Sequence, residues 1–113
     1  MESTRQQKIS KLLMKDLGDL FLREIPELIG SKVMITVTKV TVTRDLSLAR
    51  VYLSIFAAPD KEAVLADVRK AGKAIRLMLG KRIRHQVRTI PELIFELDDS
   101  LDYIDRIDEL LKD

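Results

Sequence analysis

The 20 residues from Arg69 to Arg88, "RKAGKAIRLMLGKRIRHQVR", hold eight Lys and Arg and no Asp or Glu. Cations without interleaved acids repel one another, so such a stretch calls for an anion to offset it. Phosphates repeat along a nucleic acid, and several cations at helical spacing suit that repeat better than one small anion. On a 100° helical wheel Arg69, Lys70, Lys73, Lys81, Arg84 and Arg88 gather on one side. With Arg76 from the same run they form the candidate nucleic-acid contact set. The plain alternative is a solvated helix face kept charged for solubility. Gly72 and Gly80 interrupt the same segment, although glycine in a helix costs about 1 kcal/mol against alanine. Placed among cations, Ala71–Gly72 is expected to be a helix kink that lets backbone approach phosphate. Close packing of another element, or a helix end at Gly80, is the simpler account. Arg82 would fall on the apolar side of a straight helix, so a change of phase is expected at Gly72 or Gly80.

Other chemistries lack their residues. His85 is the only histidine and there is no cysteine, so a histidine pair, a cysteine metal site and a disulfide framework are excluded. No serine lies in a nucleophile-elbow context, and neither phosphate-loop nor dinucleotide glycine pattern is present. Asp98 and Asp99 read as a strand-to-helix junction rather than a catalytic dyad. Tyr52 and Phe56 share a strand face, where cross-strand packing competes with base stacking. No catalytic residue, metal site or cofactor is expected.

These residues sit in a chain of 113 residues, the size of one domain, 46% apolar and 34% charged. The net charge of +2 hides a split. Residues 1–95 carry 18 Lys and Arg against 10 Asp and Glu, a net +8; residues 96–113 carry 2 against 8, a net −6. A basic body suits an anionic partner. The beginning of the chain has no apolar signal region, and no run reaches the roughly 18 apolar residues of a membrane span. A soluble cytoplasmic protein without membrane or small-molecule partner is expected, and nothing demands more than a monomer.

The elements that must position the cations can be read from periodicity. Residues 4–28 place Leu13, Leu17, Leu20 and Phe21 on one helical stripe, with Ser3 or Thr4 as cap, Pro26 near the end and Gly30 at the exit. Residues 33–43 alternate as a strand, but the parity changes near Thr38–Lys39, which predicts a β-bulge. "RDLS" at 44–47 reads as a turn, and 48–56 alternate again, so the two strands form an antiparallel hairpin. A helix follows from Pro59 or Asp60, with Val64, Leu65, Val68, Ala71, Ile75 and Leu79 as its stripe. Residues 89–98 read as a strand with Pro91 at its start. Residues 99–113 read as an acidic final helix capped by Asp99 or Ser100. A three-stranded sheet covered on one face by helices would bury all these stripes: an α+β fold in one domain, residues 1–113.

Four blocks of the chain resemble one bacterial family: "RQQKISKLLMKDLGDLF", "VTVTRDLSLARVYLS", "AGKAIRLMLGKRIR" and "TIPELIFELDDSLDYIDRIDELL". In order and spacing they are similar to ribosome-binding factor A, and the resemblance covers nearly the whole length. It implies a type II KH-like domain, helix–strand–strand–helix–kink–helix–strand plus the C-terminal helix. The GXXG loop of ordinary KH domains is replaced in this family by a kink carrying Ala-x-Gly; the local text here is Ala71-Gly72-Lys73, and Arg44 stands where the hairpin turn often has proline. The resemblance further implies a non-enzymatic assembly factor of the small (30S) ribosomal subunit. It would bind immature 16S rRNA and assist late maturation and 5′-end processing, above all in the cold. The cation set Arg69, Lys70, Lys73, Arg76, Lys81, Arg84 and Arg88 would then be RNA contacts. Two rivals remain: a general single-stranded RNA-binding module, and a protein-interaction module docking through the acidic C-terminal helix or the hairpin edge.

Overall fold

The computed structural model describes residues 2–30, 33–56 and 58–98. In chain order these form α1 (Thr4–Arg23), α2 (Ile25–Ile29), β1 (Met34–Val42), β2 (Leu48–Phe56), α3 (Lys61–Lys70), α4 (Gly72–Ile83) and β3 (Glu92–Leu97). The helix expected over 99–113 lies outside the described residues. The α+β architecture, one three-stranded sheet with helices on one face, is the one the sequence predicts.

Helix α1 starts with a capping box. The Ser3 Oγ accepts from the Gln6 N–H at 3.1 Å, and the Gln6 Oε1 accepts from the Ser3 N–H at 2.8 Å. The buried Gln6 also donates from Nε2 to the Val42 carbonyl at 2.9 Å, so one side chain fixes the helix start and pins it to β1. Leu13, Leu17, Leu20 and Phe21 are buried below it. The periodicity predicts one amphipathic helix to residue 28, but the chain breaks at Glu24 and restarts as α2 with Pro26 in its first turn. Proline lacks an N–H and fits a helix only there, so it sets the restart rather than the end. Gly30, at φ 68°, closes α2 in the left-handed conformation that glycine adopts without strain.

Strands β1 and β2 pair antiparallel from Met34↔Phe56 to Val42↔Ala49, and the register slips between Val37 and Lys39. The bulge at Thr38 switches the inward set from Ile35 and Val37 to Val40 and Val42. Strand β3 pairs with β2 in parallel, Leu48↔Glu92 to Leu53↔Leu97, giving the order β1-β2-β3. The core lies between the inward sheet face and the helices, with Ala49, Val51, Leu53, Phe95, Val68, Ile75, Leu79 and Ile83 all at 2% exposure or less. Phe21 of α1 meets Phe95 of β3 edge to face, ring centroids 5.8 Å apart, within the favoured range for aromatic pairs.

Asp60 caps α3, its Oδ1 accepting from the Ala63 N–H at 3.1 Å. The helix breaks at Ala71, whose φ of −86° and ψ of 5° leave the α-helical region. The Ala71 N–H still bonds back to Asp67 and Val68, and its carbonyl accepts from Ile75. α4 then starts at Gly72 and runs through Gly80 to Ile83, so Gly80 is not a helix end. Gly72 has no positive φ, and a Cβ there would meet the nearest Phe95 ring carbon at 3.9 Å, an ordinary contact. Neither backbone nor space demands glycine at the break. Its contribution is weak helix propensity, which makes interruption cheap.

The β1–β2 turn is held by Asp45, whose Oδ1 accepts from the Ser47 hydroxyl at 2.7 Å, the Thr43 hydroxyl at 2.8 Å and the Ser47 N–H at 3.1 Å. The Ser47 hydroxyl first, then that of Thr43, hold this exposed carboxyl below the ordinary carboxylate range. Leu46 beside it has φ 62°, in the left-handed region that a branched side chain enters only at a cost.

Three outcomes are expected in thermal unfolding. Gly72→Ala should raise Tm by a few degrees, because the conformation suits alanine and the unfolded chain loses freedom (about 0.4–1 kcal/mol); a lower Tm would mean the break requires glycine. Gln6→Ala should cost about 1–3 kcal/mol, and Gln6→Glu, which keeps the cap but cannot donate to Val42, should also destabilise. A carboxyl depressed in the fold stabilises above its unfolded pKa and loses that effect as pH falls. The drop in Tm below about pH 4 should therefore be shallower in Asp45→Asn, and identical acid limbs would contradict it.

Candidate nucleic-acid interface

The cationic segment is fastened to β3 through backbone. The Glu92 and Asp98 N–H groups donate to the Ser47 and Leu53 carbonyls of β2. Even-numbered residues of β3 therefore face β2, and odd-numbered ones turn their backbone to the free edge. Pro91 is odd, so its missing N–H falls where no partner strand needs it. Two carbonyls on that edge, those of Pro91 and Phe95, are taken by arginine. Arg69 donates from Nε to the Phe95 carbonyl at 3.1 Å, and Arg76 from Nε to Pro91 at 3.1 Å. Arg76 also donates from Nη2 to the Ile90 carbonyl at 2.6 Å. Each guanidinium has five N–H donors, so both stay exposed cations with donors to spare while covering an open sheet edge.

Five of the seven candidate residues come together. Lys73, Arg76, Lys81, Arg84 and Arg88 line one groove with Leu77, Gly80, Thr89 and Ile90, a volume of about 690 Å³. Lys73, Arg76 or Leu77, Gly80 or Lys81, and Arg84 follow at three- and four-residue steps, which is one face of α4. No acid lines the groove. Arg69 and Lys70 lie on α3, outside it, and Arg69 is committed to β3. Among the described residues Lys73, Lys81 and Arg88 show no ion pair, so their charge is available to a partner. A strip of this kind offers phosphates several contacts at once and carries no acid–base or nucleophilic pair.

Two lining residues escaped the charge-based reading. Leu77 stands four residues from both Lys73 and Lys81, off the buried stripe, and is 61% exposed between the cations. That spacing was the available signal. Gly80 forms part of the groove wall, and a Cβ there would meet Ile90 Cγ1 at 3.5 Å. That is an ordinary contact, so the space there does not demand glycine.

Arg82 explains itself without a phase change. It leaves the cation face and pairs with α1: Nε with Asp16 Oδ1 at 3.2 Å, Nη2 with Asp19 Oδ2 at 2.8 Å. Asp19 above all raises its already high pKa, so this charge is fixed and internally matched. His85 is exposed, its Nε2 3.4 Å from Arg84 Nε. Tyr52 and Phe56 lie on the sheet face opposite the core. Tyr52 has the Lys39 ammonium 5.9 Å from its ring centroid, and Phe56 stands opposite Met34. Asp98 accepts from the Thr38 hydroxyl at 2.6 Å, which ties it to the bulge of β1; Asp99 lies outside the described residues. Among the described residues no His, Cys, Asp or Glu group is placed to hold a metal ion, and no helix is long and apolar enough to cross a membrane.

Known proteins agree with this architecture. The chain is 48% identical over 111 residues to a ribosome-binding factor A of Cytophaga hutchinsonii, covering 98% of this chain and 83% of that one. Among solved structures it is similar to the crystal structure of ribosome-binding factor A from Thermus thermophilus, with a TM-score of 0.66, 24% identity, and 81% and 94% of the two chains covered. It is also similar to a homology model of the Thermus thermophilus factor fitted into a cryo-EM map of a 30S complex of that factor, with a TM-score of 0.56, 22% identity, and 88% and 97% covered. At these identities the two structures speak for the fold. A family model described as ribosome-binding factor A matches residues 5–111, and the chain belongs to that family.

Proposed function

We propose that the α4 groove lies against 16S rRNA in the small ribosomal subunit, and that the protein is an assembly factor acting late in subunit maturation. The observation that carries the reading is the groove itself: five cations and no acid, with Arg76 of the groove and Arg69 beside it locked to β3. Family membership supports a ribosome-binding factor rather than an enzyme, and the fitted Thermus factor belongs to a 30S complex. The finer reading is that the chain, a KH-like domain without its GXXG loop, acts as a cytoplasmic monomer. It assists 5′-end processing of 16S rRNA, most of all in the cold. The groove is lined by no aromatic side chain on which bases would stack, so recognition rests on the shape of the folded particle.

Co-sedimentation with small subunits, large subunits and assembled ribosomes at two salt concentrations tests this. Selective pelleting with free small subunits is expected. Equal pelleting with all three, vanishing as salt rises, would leave only a polyanion binder. Neutralising Lys73, Lys81 and Arg84 together to glutamine should weaken small-subunit binding and lower the salt slope by about 2, roughly 0.7 for each phosphate that is no longer neutralised. The far-UV spectrum and Tm should not change, because none of the three has an ion pair among the described residues. Undiminished binding by that variant would move the interface off α4.

A further inference from the structure

A second cleft of about 660 Å³ lies between the first half of α1, the β1–β2 turn and the loop before β3. That volume is in the usual range for small-ligand sites, about 300–1,000 Å³. Its floor is apolar: Ile9, Leu12, Leu46, Val87 and Pro91, the first four half-buried against the core. Its rim is cationic, with Arg5 and Lys8 from α1 and Arg88 from the loop. The α1 cations belong to a second run, smaller than the one around α4. Residues 3–15 carry Arg5, Lys8, Lys11 and Lys15 and no acid.

Arg88 and Thr89 line both this cleft and the α4 groove. We propose that the second cleft receives the base of an unpaired nucleotide from the same RNA strand that lies in the α4 groove. The inference rests on the RNA-binding reading above and assigns that strand its course. Phosphates leaving α4 at Arg88 find Arg5 and Lys8 next, without crossing an uncharged gap. Asp45 is the only acid on the lining. It repels phosphate at the turn, so the backbone follows the α1 side and the base edge turns toward the turn. An unpaired base offers a flat apolar face and a polar edge, which fits an apolar floor under a polar rim. The floor is aliphatic, so the fit is tolerant of sequence. Leu46 adds a sign that the floor is built. It holds a left-handed φ of 62° in a turn where glycine or asparagine would sit without strain, and what it gains there is an apolar side chain in the cleft.

Methyl-labelled full-length protein, titrated with a five-nucleotide oligocytidylate and with an abasic ribose-phosphate of equal length, separates the two levels. The expected result is ring-current shifts at the Ile9, Leu46 and Val87 methyls with the oligocytidylate only, and shifts at the Lys73 and Lys81 amides with both. Affinity for the base-bearing strand should be on the order of threefold to tenfold higher. Amide shifts on α4 with silent cleft methyls would overturn the cleft and leave the RNA reading standing. Silence at both would overturn the course proposed for the strand, and the co-sedimentation above decides the small-subunit reading separately. A photoreactive benzoylphenylalanine at exposed Gln86, irradiated on small subunits, should form an adduct with RNA. An adduct confined to ribosomal protein would overturn the proposal in favour of a protein occupant.

Discussion

The direction of β3 is the constraint on which the cationic side of the molecule depends. A strand parallel to its neighbour cannot be reached by a tight turn, so the chain must cross back over the sheet, and a helix is the usual way. Here the crossover holds 10 residues in α3 and 12 in α4. As one straight rod it would be about 33 Å long, whereas six residues of paired β3 span about 20 Å. The break at Ala71 lets the crossover stay on the sheet. The same break sets the directions of the two cation-bearing helices. Topology therefore dictates that there is a crossover and that it bends; the sequence dictates that its outer face is positive.

The cations of the crossover fall into two groups, those tied inside the protein and those, Arg84 and Arg88 among them, without an ion pair among the described residues. Arg69, Arg76 and Arg82 each carry a planar fork of donors, and each is tied to a partner inside the protein: two to strand-edge carbonyls, one to a pair of carboxylates. Lys73 and Lys81 are compact charges on flexible stems, and neither has an ion pair among the described residues. The result is a cationic surface with a rigid frame and mobile contact points. It can meet phosphates whose positions are set by a large folded particle rather than by the protein.

Much of this was legible in the sequence because it is local. The parity switch at Thr38–Lys39 marks the bulge, the bounds of β2 follow from alternation, and Asp60 announces α3 by its capping chemistry. The acid-free run marked the cations. What stayed hidden depends on partners distant in the chain. No periodicity shows that Arg76 reaches the carbonyls of Ile90 and Pro91, because that requires knowing which edge of β3 is free. Arg82 looked misplaced on a wheel only because Asp16 and Asp19 stand some 65 residues away in sequence. The glycines misled for another reason. Gly80 reads as a stop signal, yet the packing of Leu79 and Ile83 on either side carries the helix through it, as tertiary contacts routinely override propensity.

The docking of Arg69 and Arg76 on main-chain carbonyls bears on how such a surface is inherited. A side-chain partner can disappear in one substitution, but a carbonyl is present at every position. Ile90, Pro91 and Phe95 can drift with the core that they help to fill, and the two arginines keep their acceptors as long as the strand keeps its place. The positive frame is thus insulated from change in the hydrophobic interior. Substitutions can repack the inside of this domain and leave its electrostatic face as it is.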